Sequence, residues 1–306
     1  MVKRRRFAMG LGMSLFAESL PTLADSAPAG GIGELRREFA RLEAQSGGRL
    51  GIVVLDTATG KQLGHRANER FPMCSTFKVL ACAAVLARAD AGHDDLDRRV
   101  RFSADSLNSY SPVTKDWAGD AGMTMAELCA AAITLSDNTA ANLILASLGG
   151  PPAVTDFARS LGDPITQLDR NEGALNEATP GDPRDTTTPG AMASNLQALA
   201  TGNALSQRSR DQLVTWLVGC RTGDAKLRAG VPSTWRVGDK TGSGGHGTTN
   251  DVAVMWPPGR APVVVCAYLT ETAASPDQAN VIFASVGRTL QAALVPQVQP
   301  YLRTDR

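Results

Sequence analysis

The sequence predicts an α/β (α+β) protein: a five-stranded antiparallel sheet covered by helices, with an all-helical domain inserted into it. Three observations lead there. Two strand-like runs stand near the start, RLGIVVLD at 49–56 and KQLGHRA at 61–67. Three more stand near the end, WRVGDKTG at 235–242, NDVAVMW at 250–256 and PVVVCAYLT at 262–270, with turn signals between them. From about Ser75 to Leu217 nearly every element that can be read is instead helical and rich in Ala and Leu. Short links between the strands suggest one sheet, and the helical middle becomes an insertion.

Taken in order, residues 1–29 have a cationic start, a modest apolar stretch interrupted by Glu18, and then small residues. That is the layout of an export signal, and Arg4-Arg5-Arg6-Phe7 resembles the twin-arginine export pattern. A basic N-terminal helix on a cytosolic chain is the competing reading. Next, IGELRREFARLEAQSGG places Ile32, Leu35, Phe39 and Leu42 on one helical stripe that Gly47-Gly48 ends. Thr57-Ala58-Thr59-Gly60 turns the first two strands, and DQANVIFASVGRTLQAAL (277–294) is a closing helix. The expected division is therefore an export signal over 1–29, a discontinuous α/β domain from 31–68 and 222–304, and a helical domain over 69–221.

The bulk properties exclude several functions. Of 306 residues 43% are hydrophobic and 20% charged, which supports a sizeable core rather than general disorder. A net charge of +1 gives no reason to expect nucleic acid as a partner. Past the first residues no apolar run is long enough to span a bilayer, so no stable membrane anchor is expected once the signal is removed. The five cysteines (Cys74, Cys82, Cys129, Cys220, Cys266) show no paired spacing, and Cys82, Cys129 and Cys266 sit in apolar runs as small hydrophobes. With three scattered histidines and no C-x-x-C, no zinc cluster is expected.

Three short motifs carry the chemistry. Ser75-Thr76-Phe77-Lys78 opens an apolar helical run, and residues three apart share a helical face, so the Lys78 amine lies beside the Ser75 hydroxyl. A serine hydroxyl is a weak nucleophile until a base takes its proton. Unpaired N–H groups at a helix start also suit a developing oxyanion. Ser136-Asp137-Asn138 lies between two helical runs, and Lys240-Thr241-Gly242 ends a strand. Singly these admit plain structural readings: a capping serine, a helix–helix turn, a strand end. Jointly and in this order they are the signature of class A β-lactamases and penicillin-binding proteins.

Over about residues 31–303 the chain resembles a class A serine β-lactamase, with the fold that family shares with penicillin-binding transpeptidases. NSYSPV, SDNTAANL, GDPRDTTTP, TGDAKLRAGVP and DKTGSGGHGTTNDVAV all resemble that family, including its exported proteobacterial and cefotaxime-hydrolysing members. The charged, unpatterned stretch RNEGALNEATPGDPRD (170–185) resembles the family's Ω-loop. The resemblance implies that Glu172 and Asn176 hold the water that cleaves an acyl-enzyme, and that Arg170 pairs with Asp185 at the neck. It further implies Ser75 as nucleophile, with the Ser75 and Ser243 N–H groups as oxyanion hole. The acylation base is either Lys78 or Glu172 through a water. Ser136, tied to Lys240, would pass a proton to the lactam nitrogen. Lys240, Thr241, Gly242 and Ser243 would take the substrate carboxylate, Asn138 the side-chain amide, and Tyr110 would form an apolar wall. No metal or organic cofactor is required, and the partner is a small-molecule β-lactam, met by a monomer in the periplasm or outside the cell.

Three departures from the family pattern bear on this. Glu172 is followed by Gly173 where proline is frequent; without proline a cis bond costs roughly 2.5–4 kcal/mol, so a differently shaped loop is expected. Cys74 precedes the nucleophile as in carbapenem-hydrolysing members, but Gly244 stands where their partner cysteine would be, so that disulfide cannot form. Thr249 stands where some relatives carry a carboxylate-binding arginine, and Lys226 is the candidate to supply the charge. A D-alanyl-D-alanine peptidase or a non-hydrolysing penicillin-binding sensor shares the three motifs. Glu172 with Asn176 separates the peptidase from the β-lactamase, and only loss of deacylation would make the sensor.

Overall fold

The computed structural model describes residues 29–294. The export signal read over 1–29 lies outside the described residues except for Ala29, as does the 295–304 end of the last segment. The chain opens with α1 (Ala29–Ser46), β1 (Arg49–Asp56), β2 (Gln62–His65) and β3 (Phe71–Pro72). A 3₁₀ turn, Cys74–Phe77, leads into α2 (Lys78–Asp90), followed by β4 (Arg99–Phe102), β5 (Gly119–Thr124), α3 (Met125–Thr134), α4 (Asn138–Leu148) and α5 (Pro151–Ser160). Then come β6 (Thr186–Thr187), α6 (Pro189–Ala200), α7 (Gln207–Val218), β7 (Arg236–Ser243), β8 (Thr249–Trp256), β9 (Val263–Thr270) and α8 (Pro276–Leu294).

The expected five strands form one antiparallel sheet in the order β2-β1-β9-β8-β7. All eight residues of β9 are buried because the sheet is covered on both faces, so its sequence is a continuous apolar run rather than an alternating one. On one face Ile52, Val265, Ala267 and Leu269 meet Phe39 and Leu42 of α1 and Ile282, Phe283 and Val286 of α8. On the other, Val53, Val252, Val254, Cys266 and Tyr268 join the core of the inserted helices. Helices from the two chain ends thus share one face, and the insertion closes the other.

Within the insertion α2 is the central helix, buried continuously from Lys78 to Leu86. A helix apolar all round belongs inside a core, and its one charge in that stretch, Lys78, must find partners there. Around it, α3 starts on a capping box between Thr124 and Glu127, and α4 starts on the Asp137 carboxylate, which accepts from the Ala140 N–H. The insertion also contains two short antiparallel pairs, β3 with β6 and β4 with β5. Two-residue strands such as Phe71–Pro72 and Thr186–Thr187 are too short to show any periodicity. The β3–β6 pair stands where the chain leaves the sheet, and the Met73 N–H donates to the Asp185 carbonyl at 2.9 Å just beyond it. Among the described residues no helix is long and apolar enough to cross a membrane.

Two contacts seat the turn bearing Ser75 on the sheet. The Asn250 amide of β8 donates to the Pro72 and Met73 carbonyls at 2.9 and 3.0 Å. Gly242 of β7 lies so close that a Cβ there would stand 2.8 Å from the Met73 carbonyl oxygen, which explains the glycine of Lys-Thr-Gly. Replacing Asn250 with Ala leaves both carbonyls without this donor, and a stability loss of about 1–3 kcal/mol is expected. Urea unfolding followed by circular dichroism, with an unchanged denaturant slope, checks it.

Candidate active site

Ser75 lies inside the 3₁₀ turn, and Lys78 is the first residue of α2. Both are buried, and the spacing of three brings them to one place as the motif predicts. They meet on a third group. The Ser75 hydroxyl donates to Glu172 Oε1 at 2.7 Å, and Lys78 Nζ stands 2.8 Å from the same oxygen. The Lys78 ammonium also donates to the Ser136 carbonyl at 2.8 Å and to Asn138 Oδ1 at 2.7 Å, with the Ser136 hydroxyl at 3.3 Å. These partners answer the demand of a lysine in an apolar helix.

The buried pair sets the protonation of the site. Burial alone would raise the Glu172 carboxyl, but the Lys78 charge and hydrogen bonds from Lys78, Ser75 and Asn176 outweigh it and hold it below the ordinary carboxylate range. Glu172 is therefore an ionised base at neutral pH. For Lys78 burial dominates and lowers its affinity for a proton, although Glu172 works the other way. Lys240 is fully buried with Lys78 nearby, and both effects push it down to about 8.

The turn between α3 and α4 places Ser136 with φ at +58°, a left-handed conformation supported by the residue that follows. Asp137 is fully buried and accepts from the N–H groups of Val113, Thr114 and Ala140, each at 2.9 Å, and from the Thr114 hydroxyl. The middle residue of Ser-Asp-Asn thus holds the turn while its neighbours face the site. The Ser136 hydroxyl lies 3.0 Å from Lys240 Nζ, between the two lysines. Lys240 also donates to the Thr241 carbonyl at 2.7 Å, and the Thr241 hydroxyl lies 2.6 Å from that of Thr222. Ser243 is exposed at the end of β7. The Tyr110 carbonyl accepts from the Asn138 N–H at 2.9 Å, and the residue stays 49% exposed beside the site.

Residues 170–185 form a loop with a closed neck. Arg170 Nε pairs with Asp185 Oδ2 at 2.6 Å, and Asp185 Oδ1 accepts from the N–H groups of Asp169 and Arg170. Asn176 donates to Glu172 Oε2 at 2.6 Å, leaving its own Oδ1 buried and unpartnered. At the contact with the β7–β8 hairpin the Asn176 carbonyl accepts from the Gly245 N–H at 2.8 Å. Peptide bonds among the described residues are all trans, and Gly173 makes the turn after Glu172 with φ +92° and ψ −70°. Glycine reaches that region without steric penalty, so the loop keeps Glu172 under Ser75 without a proline.

Lys226 is buried, donates to the Thr249 hydroxyl and lies 4.8 Å above the Phe283 ring. All five cysteines are buried free thiols. Cys74 Sγ faces Gly244, where a Cβ would stand 2.7 Å away, and burial first among its causes raises its thiol far above the ordinary value. Among the described residues no three His, Cys, Asp or Glu side chains gather so as to hold a metal ion. Sequence reasoning missed Asn142 and Asn108. Asn142 Oδ1 accepts from the Glu172 N–H at 2.8 Å, while the Asn142 and Asn108 amides donate to the Glu172 carbonyl at 3.3 and 3.2 Å. Asn142 follows Asn138 by one helical turn, the one signal that could have found it.

Comparison with known proteins agrees with this geometry. Residues 34–294 match the profile of the β-lactamase enzyme family. The chain belongs to that family. Beta-lactamase CTX-M-8 of Citrobacter amalonaticus is 49% identical over 270 residues, covering 88% of this chain and 90% of that one. Beta-lactamase L2 of Stenotrophomonas maltophilia is 48% identical over 297 residues, covering 94% and 98%. Among solved structures, an ancestral class A β-lactamase superposes with a TM-score of 0.84 at 62% identity over 85% of this chain and 99% of its own. A putative class A β-lactamase, PenP of Rhodopseudomonas palustris, gives the same TM-score at 60% identity, covering 85% and 100%. The chain is thus a class A serine β-lactamase, a hydrolase of the β-lactam amide, and the peptidase and the sensor are not favoured.

Asn142 fixes the backbone on both sides of Glu172, so its loss is expected to reach the carboxylate. For Asn142→Ala, kcat on benzylpenicillin should fall on the order of tenfold to a hundredfold, as for a slightly misplaced catalytic group. Steady-state kinetics beside a thermal melt that stays cooperative check it.

Proposed function

We propose that Ser75 attacks the lactam carbonyl while Glu172 takes its proton directly, and that the same carboxylate later activates the hydrolytic water. One observation carries this: the Ser75 hydroxyl already donates to Glu172 Oε1, and Lys78 sits on the same oxygen. The oxyanion formed by attack lies toward the N–H groups of Ser75 and Ser243. As the C–N bond breaks, Ser136 gives its proton to the lactam nitrogen. Lys78 and Lys240 are both within reach of the Ser136 hydroxyl, and Lys78 replaces the proton. Lys78 then recovers a proton from Glu172, which leaves Glu172 ionised for the second half. There it removes a proton from a water beside Asn176, hydroxide adds to the ester, and Ser75 leaves with the returned proton.

Substrate binding follows from charge. Lys240, Thr241, Gly242 and Ser243 receive the substrate carboxylate, and Lys226 adds a second cation from behind Thr249. Asn138 binds the side-chain amide, and Tyr110 walls the cleft. Penicillins and cephalosporins both fit this set. The chain works as a monomer in two lobes, 31–68 with 222–304 and 69–221. Its cationic, apolar N-terminus exports it to the periplasm or beyond, with no nucleic-acid partner and no stable membrane anchor.

Intact-protein mass followed over time with benzylpenicillin tests the scheme. The wild type should consume the drug with at most a brief adduct, Glu172→Gln should hold an adduct far longer, and Ser75→Ala should form none. A Glu172→Gln protein that turns over normally would remove Glu172 from deacylation.

The pH profile follows from the shifted groups. Lys240 keeps its charge only below about 8, so kcat/KM should fall as pH rises through that value. Glu172 is held below the usual carboxylate range, so the acid limb should lie below that of an ordinary glutamate. A profile flat to about pH 10, the range of an unperturbed lysine, would contradict the role given to Lys240.

A further inference from the structure

Behind the β7–β8 hairpin, on the face covered by α8, lies a buried charge cluster that the reaction scheme does not use. Asp239 of β7 and Asp251 of β8 are fully buried, and Lys226 and Arg228 approach them from the segment before β7. Arg228 Nε pairs with Asp239 Oδ1 at 3.1 Å, so Asp239 has its own counter-ion in contact. Asp251 does not. Its Oδ2 accepts from the Leu227 N–H at 3.1 Å, and its Oδ1 is buried without a partner. A buried, half-satisfied carboxylate is costly to desolvate and is a poor structural element by itself.

Its position suggests what it serves. Thr249 and Asp251 lie two apart on β8 and share one face of the sheet, and Thr249 pairs with Ser243, the last residue of the substrate-binding strand. Lys226 reaches the Thr249 hydroxyl, and the residue after it is held by Asp251. We infer that Asp251 is a positioning residue, anchoring the Lys226 segment through the Leu227 N–H and keeping the Lys226 ammonium charged beside Thr249 for the substrate carboxylate. The inference rests on the role proposed above for Lys226.

Burial lowers the Lys226 proton affinity, and Asp251 first, then Asp239, work against it. Burial and the neighbouring Asp239 raise the Asp251 carboxyl well above its ordinary value, against the pull of Lys226, the Leu227 N–H and Arg228. The charge that opposes loss of the Lys226 proton therefore develops as pH rises. From α8 the neighbour is the uncharged Phe283 ring, and on its own segment Arg228 is taken up by Asp239, with Asp224 at 3.9 Å from Arg228. Removing the Asp251 charge therefore lets Lys226 lose its proton at lower pH, and carboxylate binding is lost with it as pH rises.

Asp251→Asn tests this, because the amide oxygen can still accept from Leu227. With benzylpenicillin, KM should rise roughly three- to tenfold with kcat little changed. The alkaline rise of KM should also begin about one pH unit lower. In a Lys226→Ala background Asp251→Asn should add almost nothing. In a Lys226→Arg background, where the cation does not titrate, the alkaline shift should vanish. A shift that persists in the Lys226→Arg background, or a KM effect equally large in the Lys226→Ala background, overturns the role of Asp251 while leaving that of Lys226 in place. If Lys226→Ala alone leaves KM unchanged, the carboxylate role of Lys226 fails, and this inference with it. Circular dichroism and thermal melts of each variant separate these outcomes from loss of the fold.

Discussion

The site depends on one buried ion pair. Lys78 and Glu172 are both removed from water, and each is tolerable only because the other is there. Lys78 comes from the central helix and Glu172 from the 170–185 loop, so the pair joins the core to its most irregular segment. Four further groups of the site attach to it: the Ser75 hydroxyl and Asn176 on the carboxylate, Ser136 and Asn138 on the ammonium. A loop with little secondary structure of its own keeps a defined shape because its middle is tied to a buried charge and its neck is closed by Arg170 and Asp185.

Much of this was legible in the sequence. The five strands and the helical insertion follow from where apolar runs and turn signals fall. Ser75 and Lys78 follow from a spacing with a mechanical reason, Ser136 and Lys240 from the joint signature of three motifs in order, and the structure brings these residues together. Glu172 and Asn176 emerge only through the likeness of residues 170–185 to the family's Ω-loop; the charge in that unpatterned stretch raises the question without answering it. What stayed hidden depends on contacts between distant segments. Asn250 carries no local mark that it pins the nucleophile turn 177 residues away. Asn108 and Asn142 look like ordinary polar residues until their amides are seen on the backbone of Glu172. Spacing puts Ser75 beside Lys78 but says nothing of the carboxylate that both of them touch.

The departures from the family pattern show how local chemistry substitutes for a missing residue. Gly173 turns the loop through a positive φ and delivers Glu172 to Ser75 all the same. Thr249 brings no charge, yet a lysine from another segment ends on its hydroxyl. At the loop the spatial requirement is met although the sequence position is not, and the role proposed for Lys226 would meet the second in the same way.

The hydrogen bond from the Gly245 N–H to the Asn176 carbonyl has a wider meaning. It joins two main-chain atoms, so no exchange of one side chain for another deletes it, short of proline at 245, which lacks the N–H. Bulk can only push it apart: a Cβ on Gly245 would stand 2.4 Å from the Glu177 carbonyl, and one on Gly244 2.7 Å from that of Asn176. The mouth of the cleft and the carboxylate at its floor are therefore mechanically geared. An adaptation that opens the hairpin to a larger molecule also moves the segment that carries Glu172, and such an enzyme would gain breadth by giving up speed.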